Sequence, residues 1–151
     1  MELTDIRDLY RDRESFIGKE VTVGGWIRSN RDSKTFGFIV INDGTYFETL
    51  QVVYSDKLAN FAELTRLNIG SAVVVKGTIV ATPDAKQPFE MQAEEAFVEG
   101  ESTSDYPLQK KRHSFEYLRT IPHLRPRTNT FQAVFRVRSL IAYAIHMFFQ
   151  E

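Results

Sequence analysis

Residues 21–53, VTVGGWIRSNRDSKTFGFIVINDGTYFETLQVV, decide how the rest of the chain is read. Val21, Val23 and Ile27 alternate with Thr22 and Gly24, a period of two that predicts a first strand. The polar run Arg28-Ser29-Asn30-Arg31-Asp32-Ser33-Lys34 interrupts it and predicts a basic loop. Phe36 to Ile41 returns to the extended pattern as strand two. Asn42-Asp43-Gly44 supplies a turn, and Tyr46 to Tyr54 predicts strand three.

Working outward, Leu3, Ile6, Leu9 and Tyr10 recur at helical spacing over residues 3–13, with Thr4 as the expected N-cap. On the other side, Leu58, Phe61, Ala62 and Leu64 share one face of a helix predicted over 57–67. Ala72 to Ala81 reads as strand four and Phe89 to Val98 as strand five, joined by a loop carrying two prolines. Three strands, a helix and two strands make a mainly β chain. That order is the five-stranded Greek-key barrel of the OB-fold, whose strand 2–3 face and 1–2 and 4–5 loops bind oligonucleotides. The basic run is the 1–2 loop, and Phe38 and Gln51 fall on strands two and three. Cations for phosphates and ring faces for bases are what a single-stranded nucleic acid requires.

Composition narrows the classes. Of 151 residues, 42% are hydrophobic and 26% charged, the mixture of a water-soluble globular chain. No apolar run is long enough to span a membrane, and the polar, acidic N-terminus MELTDIRDLY is no secretory signal. The absence of cysteine excludes disulfides, thiolate metal sites and a cysteine nucleophile, and a cytoplasmic location is expected. His113, His123 and His146 show no ligand spacing, so no metal site is expected. The net charge of −1 hides an asymmetry: residues 1–106 carry 11 Lys and Arg against 18 Asp and Glu, and residues 107–151 carry 8 against 2. An acidic barrel argues against generic binding of nucleic acid and for local recognition through the 28–34 loop. The charge changes sign at the turn-rich GESTSDYP (100–107). The expected divisions are a barrel over 1–100, a linker or hinge over 101–112 and a helical segment over 113–151.

In that last segment, HSFEYLRTI (113–121) predicts a short helix ended by Pro122, followed by extended HLRPRT (123–128). Thr130 is the expected N-cap of a helix running to residue 150. Phe131, Val134, Phe135, Arg138, Ile141, Ala142, Ile145, Phe148 and Phe149 recur at helical spacing and give it a wide aromatic face. Such a face needs a partner, and the sequence stops at Glu151 with no terminating glycine or proline. The helix is therefore read as a truncated element.

A barrel of this kind followed by YPLQKKRHSFEYLRTIPHLRPRTNTFQAVFRVRS (106–139) closely resembles the bacterial-type asparaginyl-tRNA synthetases of class IIb. PHLRPRTNTFQAVFRVRS is the most specific part of the likeness; the GWIRSNRD box is shared more widely across the class. The resemblance implies an N-terminal domain that reads the asparagine anticodon, GUU, then a hinge and the start of a catalytic domain. Carried over, Phe38 corresponds to the aromatic that stacks on the central uridine, and Arg31 and Gln51 to groups that contact that base. Glu90 corresponds to a carboxylate near the first anticodon base, with Arg28, Asn30 and Lys34 as supporting loop residues. Helix 130–150 corresponds to the long helix of motif 1, through which the complete enzymes form homodimers. ATP and magnesium are implied for the complete enzyme, but motifs 2 and 3 are absent from this sequence. The chain alone is expected to hold neither cofactor and to contribute no catalytic residue.

Two other readings compete. A stand-alone OB-fold module that binds single strands or a protein would use the C-terminal extension for dimerisation, but it has no need of an acidic barrel. An aspartyl-tRNA synthetase relative shares the central uridine, and LRPRTNTFQAVFRVRS favours the asparaginyl family over it. Residue by residue, Phe38 has an alternative as barrel core, Arg31 as a solvated cation, Gln51 as an outward polar residue and Glu90 as one of several carboxylates beside Glu94 and Glu95. Trp26 is assigned to packing.

Overall fold

A computed structural model describes residues 2–151, and the chain falls into two compact units divided between Lys110 and Lys111. In the first unit, α1 (Ile6–Arg11) and α2 (Arg13–Phe16) precede β1 (Glu20–Asp32), β2 (Phe36–Asn42) and β3 (Leu50–Ser55). A single helical turn, α3 (Phe61–Leu64), leads into β4 (Ala72–Ala81) and β5 (Phe89–Gly100). The strands close in the order β1-β2-β3-β5-β4, with β4 returning to β1. Only β3 and β5 run parallel; the other neighbours are antiparallel. This is the predicted five-stranded OB-fold barrel.

The period-two pattern explains its core. Gly37, Ile39 and Ile41 of β2, and Leu50, Val52 and Tyr54 of β3, turn inward and are buried. They meet Val23 and Ile27 of β1, Val73, Val75 and Ile79 of β4, and Phe89 and Met91 of β5. Each such aliphatic or aromatic side chain taken out of water contributes roughly 1.5–3 kcal/mol before entropy is counted. Ile6 and Leu9 of α1 close one part of the core, and Leu64 with Leu67 another.

Several local expectations need correction. Residues 28–32 belong to β1 rather than to a loop, because Ser29 to Asp32 pair with Val40 to Gly37 of β2. The register slips between Ile27 and Ser29, leaving Arg28 as the extra residue of a bulge. The true connection is the three-residue turn Ser33–Thr35, closed by Ser33 N–H donating to the Phe36 carbonyl at 2.7 Å. Strand three begins at Leu50, not Tyr46: residues 43–49 lie outside the strands, turning at Gly44 with φ 81°. That turn also caps α1: Asp43 Oδ2 accepts from the Ile6 N–H at 2.7 Å, and Thr45 Oγ1 from the Arg7 N–H at 3.1 Å. The cap residue itself is Asp5 rather than Thr4.

In the second unit, α4 (Phe115–Thr120) is capped by Ser114, whose Oγ accepts from the Tyr117 N–H at 3.2 Å. Residues predicted as extended instead form a 3-10 turn over Arg125–Arg127, where the ring of Pro126 fixes a helix-compatible φ. The long helix α5 (Asn129–Gln150) is capped by Thr128, not Thr130, through Thr128 Oγ1 accepting from the Phe131 N–H at 3.4 Å. Arg125 lies over the rings of Phe131 and Phe135, 4.9 and 5.7 Å from their centroids. No residue of α5 is buried, and Phe148 and Phe149 are nearly four-fifths exposed. Among the described residues no helix is long and apolar enough to cross a membrane.

Candidate nucleic-acid interface

The outer face of β2 and β3 carries what the inner face leaves over: Phe36, Phe38 and Val40 on one strand, Gln51 and Val53 on the other. Arg31, Asp32, Ser33, Phe36, Phe38 and Gln51 line an open cleft of about 500 Å³ on this face. Phe38 is half-buried and Phe36 is exposed, their rings meeting edge to face at 5.5 Å. Phe38 is thus outside the barrel core, with a ring supported at its edge. The Arg31 guanidinium sits 6.0 Å from the Phe38 ring centroid, at the outer limit of a cation–π contact. It is therefore exposed beside the aromatic rather than committed to it.

Gln51 and Glu90 come together through the one parallel pairing of the barrel. Val52 faces Met91 across β3 and β5, so the preceding outward residues are also neighbours. Gln51 Nε2 donates to Glu90 Oε2 at 2.9 Å. Glu90 is not among the residues lining the cleft.

The supporting residues have separate fates. Asn30 does not face the cleft's contents: its Nδ2 donates to the carbonyls of Leu64 and Leu67 at 2.7 and 3.2 Å, and its Oδ1 accepts from the Tyr54 hydroxyl at 3.0 Å. It ties β1 to the segment after β3. Arg28, on the bulge, is half-buried; burial holds its guanidinium below its usual range, opposed by Tyr106. Lys34 is exposed in the Ser33–Thr35 turn, outside the cleft lining. Trp26, assigned above to packing, is 37% exposed. Three lining residues were not singled out in the sequence. Phe36 was legible from its two-residue spacing to Phe38. Asp32 and Ser33 gave no signal, because polar residues at a turn are expected whatever the turn does.

Burial pushes the Tyr54 hydroxyl up to about 12, with the negative charge of Asp32 adding to the effect. Tyr54 therefore stays a neutral donor to Asn30 within the barrel core. Among the described residues no group of three or more His, Asp or Glu could hold a metal ion.

An aromatic ring, a neighbouring guanidinium and a side-chain amide thus share one cleft on the outer face of a small closed barrel. The chain belongs to the family of OB-fold nucleic acid binding domains, whose pattern matches residues 21–99. Along its whole length the sequence is similar to asparagine–tRNA ligases. The asparagine–tRNA ligase of Acetivibrio thermocellus is 62% identical over 152 residues, taking in 100% of this chain and 33% of the relative. The crystal structure of asparaginyl-tRNA synthetase from Pyrococcus horikoshii, complexed with asparaginyl-adenylate, superposes with a TM-score of 0.84 at 24% identity. That match covers 98% of this chain and 34% of the other. The Entamoeba histolytica enzyme, also with asparaginyl-adenylate, gives 0.72 at 26% identity over 93% of this chain and 34% of its own. The chain thus spans about a third of the length of the relatives it matches.

Proposed function

We propose that this chain reads the anticodon of asparagine tRNA, GUU, as the recognition portion of an asparagine–tRNA ligase. The observation that carries the reading is the convergence of Arg31, Phe38 and Gln51 on one cleft of the β2–β3 face. Stacking on Phe38 holds the central base by its ring face and tolerates any base, worth roughly 1–3 kcal/mol. Selection falls to Gln51, which offers both an acceptor and a donor, and to Arg31, which donates to a carbonyl or a phosphate. On the same reading Lys34, exposed in the Ser33–Thr35 turn, contributes charge toward the RNA backbone.

In this reading residues 113–151 open the catalytic portion, 101–112 join it to the barrel, and α5 forms the homodimer contact of the complete enzyme. ATP and magnesium belong to that complete enzyme. The barrel's part in this reading is recognition of the tRNA. The cytoplasm is its expected place of work.

The test is binding of synthetic anticodon stem-loops by fluorescence anisotropy. A GUU loop should bind more tightly than one with an altered central base, and Phe38→Ala should weaken binding about 5- to 150-fold, the equivalent of one lost stack. Equal affinity for every loop would sink the proposal in favour of a generic single-strand module.

A further inference from the structure

We infer that Glu90 is a positioning residue that makes Gln51 accept one pyrimidine and refuse the other, an inference that rests on the anticodon reading above. Gln51 lines the cleft, Glu90 is not among the lining residues, and Gln51 Nε2 donates to Glu90 Oε2 at 2.9 Å. The contact is built into the barrel, because the parallel register of Val52 with Met91 sets these two outward side chains beside each other.

A primary amide left to itself has two orientations, related by a half-turn, that are almost equal in shape and opposite in hydrogen-bonding sense. A carboxylate only accepts hydrogen bonds, so Gln51 must turn its nitrogen toward Glu90; the reverse would set oxygen against oxygen. Fixing the nitrogen fixes the order of acceptor and remaining donor along the exposed edge of the amide. Uracil presents a carbonyl acceptor at O4 followed by a donor at N3–H. Cytosine presents an amino donor at the first place and a ring-nitrogen acceptor at the second. The two bases therefore pair with opposite orientations of the amide. Pinned by Glu90, Gln51 suits one of them; unpinned, it turns over to suit either. Stacking on Phe38 cannot make this distinction. Discrimination at the central base thus depends on a carboxylate that does not touch that base, a role different from the first-base contact that the resemblance implied.

The experiment uses the full chain, stem-loops with GUU and GCU anticodons, and the side-chain amide signals of Gln51 by NMR in the free protein. Glu90→Gln, which can donate or accept, should lower the preference for GUU over GCU about tenfold. The Gln51 amide signals should move in the same variant without RNA, with the dispersion of the remaining spectrum reporting an intact barrel. Glu90→Asp, too short to reach, should relax the preference as well. In a Gln51→Ala background, Glu90→Gln should change nothing further. Unmoved Gln51 signals, a preserved central-base preference, or a loss confined to the first anticodon position would overturn the inference. Wild-type chain that binds GUU and GCU equally, with Gln51 signals that do respond to Glu90→Gln, would instead sink the anticodon reading and the discrimination with it.

Discussion

Gly37 leaves open the space that Tyr54 occupies. The two residues face each other across β2 and β3, and a Cβ at Gly37 would lie 2.2–2.6 Å from the Tyr54 ring and hydroxyl. Gly37→Ala should therefore cost about 1–3 kcal/mol as overpacking, read as a lower midpoint in urea, with the loss spreading to RNA affinity because Phe38 is the next residue. The Tyr54 phenol donates to Asn30, whose amide in turn donates to the Leu64 carbonyl of α3, so the Asn30 side chain is engaged inside the barrel. Sequence could place Phe38 and Gln51 outward by alternation, but it could not see that Asn30 was already spent on Leu64 and Leu67. Those partners lie 34 and 37 residues away, beyond any local pattern. Tyr54 and Tyr10 are both pushed up to about 12, chiefly by burial. The sign follows: a hydroxyl that ionises near 10 when unfolded binds its proton more firmly in the fold. The stabilisation is complete below pH 10 and is lost as pH rises through 12. Alkaline titration by circular dichroism and ultraviolet absorbance should show tyrosine ionisation and unfolding together in that window.

At the scale of elements, β4 was legible from end to end, since Ala72–Ala81 alternates without a polar interruption on its inner face. β1 was not, because Arg28 to Asp32 reads as a loop by composition. Its strand character is imposed by pairing to β2, a tertiary effect that overrides local preference. The helix between β3 and β4 shrank to four residues for a similar reason: 57–60 are drawn into turns, among them one where Asn60 Nδ2 donates to the Ala96 carbonyl at 2.9 Å. In the second unit, the helical periodicity of α5 was read correctly while its cap was misplaced by two residues. The cap can be tested directly. Thr128→Ala should cost about 0.5–1 kcal/mol, the low part of the usual range because the 3.4 Å bond is long, and Thr130→Ala should cost less. Thermal melts of the two variants would rank them; a reversed order would return the cap to Thr130.

Across the whole molecule, charge and topology act together. Residues 1–106 carry a balance of −7, so the few cations near the cleft work against the surrounding field. Binding of an anticodon stem-loop should accordingly depend weakly on salt, with a log–log slope of about −1 to −2 for two phosphate contacts. A steep slope would mean that a broad basic surface, not the cleft, holds the RNA. The parallel β3–β5 seam has a different consequence, one of timing. Phe38 and Arg31 sit on a local hairpin that can form early, whereas Gln51 meets Glu90 only when strands 39 residues apart are zipped to close the cylinder. Non-local closures of this kind are the slow events of folding. A half-folded chain would hold a stacking surface without the power to choose among bases. On the proposed reading, discrimination between bases would come only with closure of that seam, and would report that the barrel is complete.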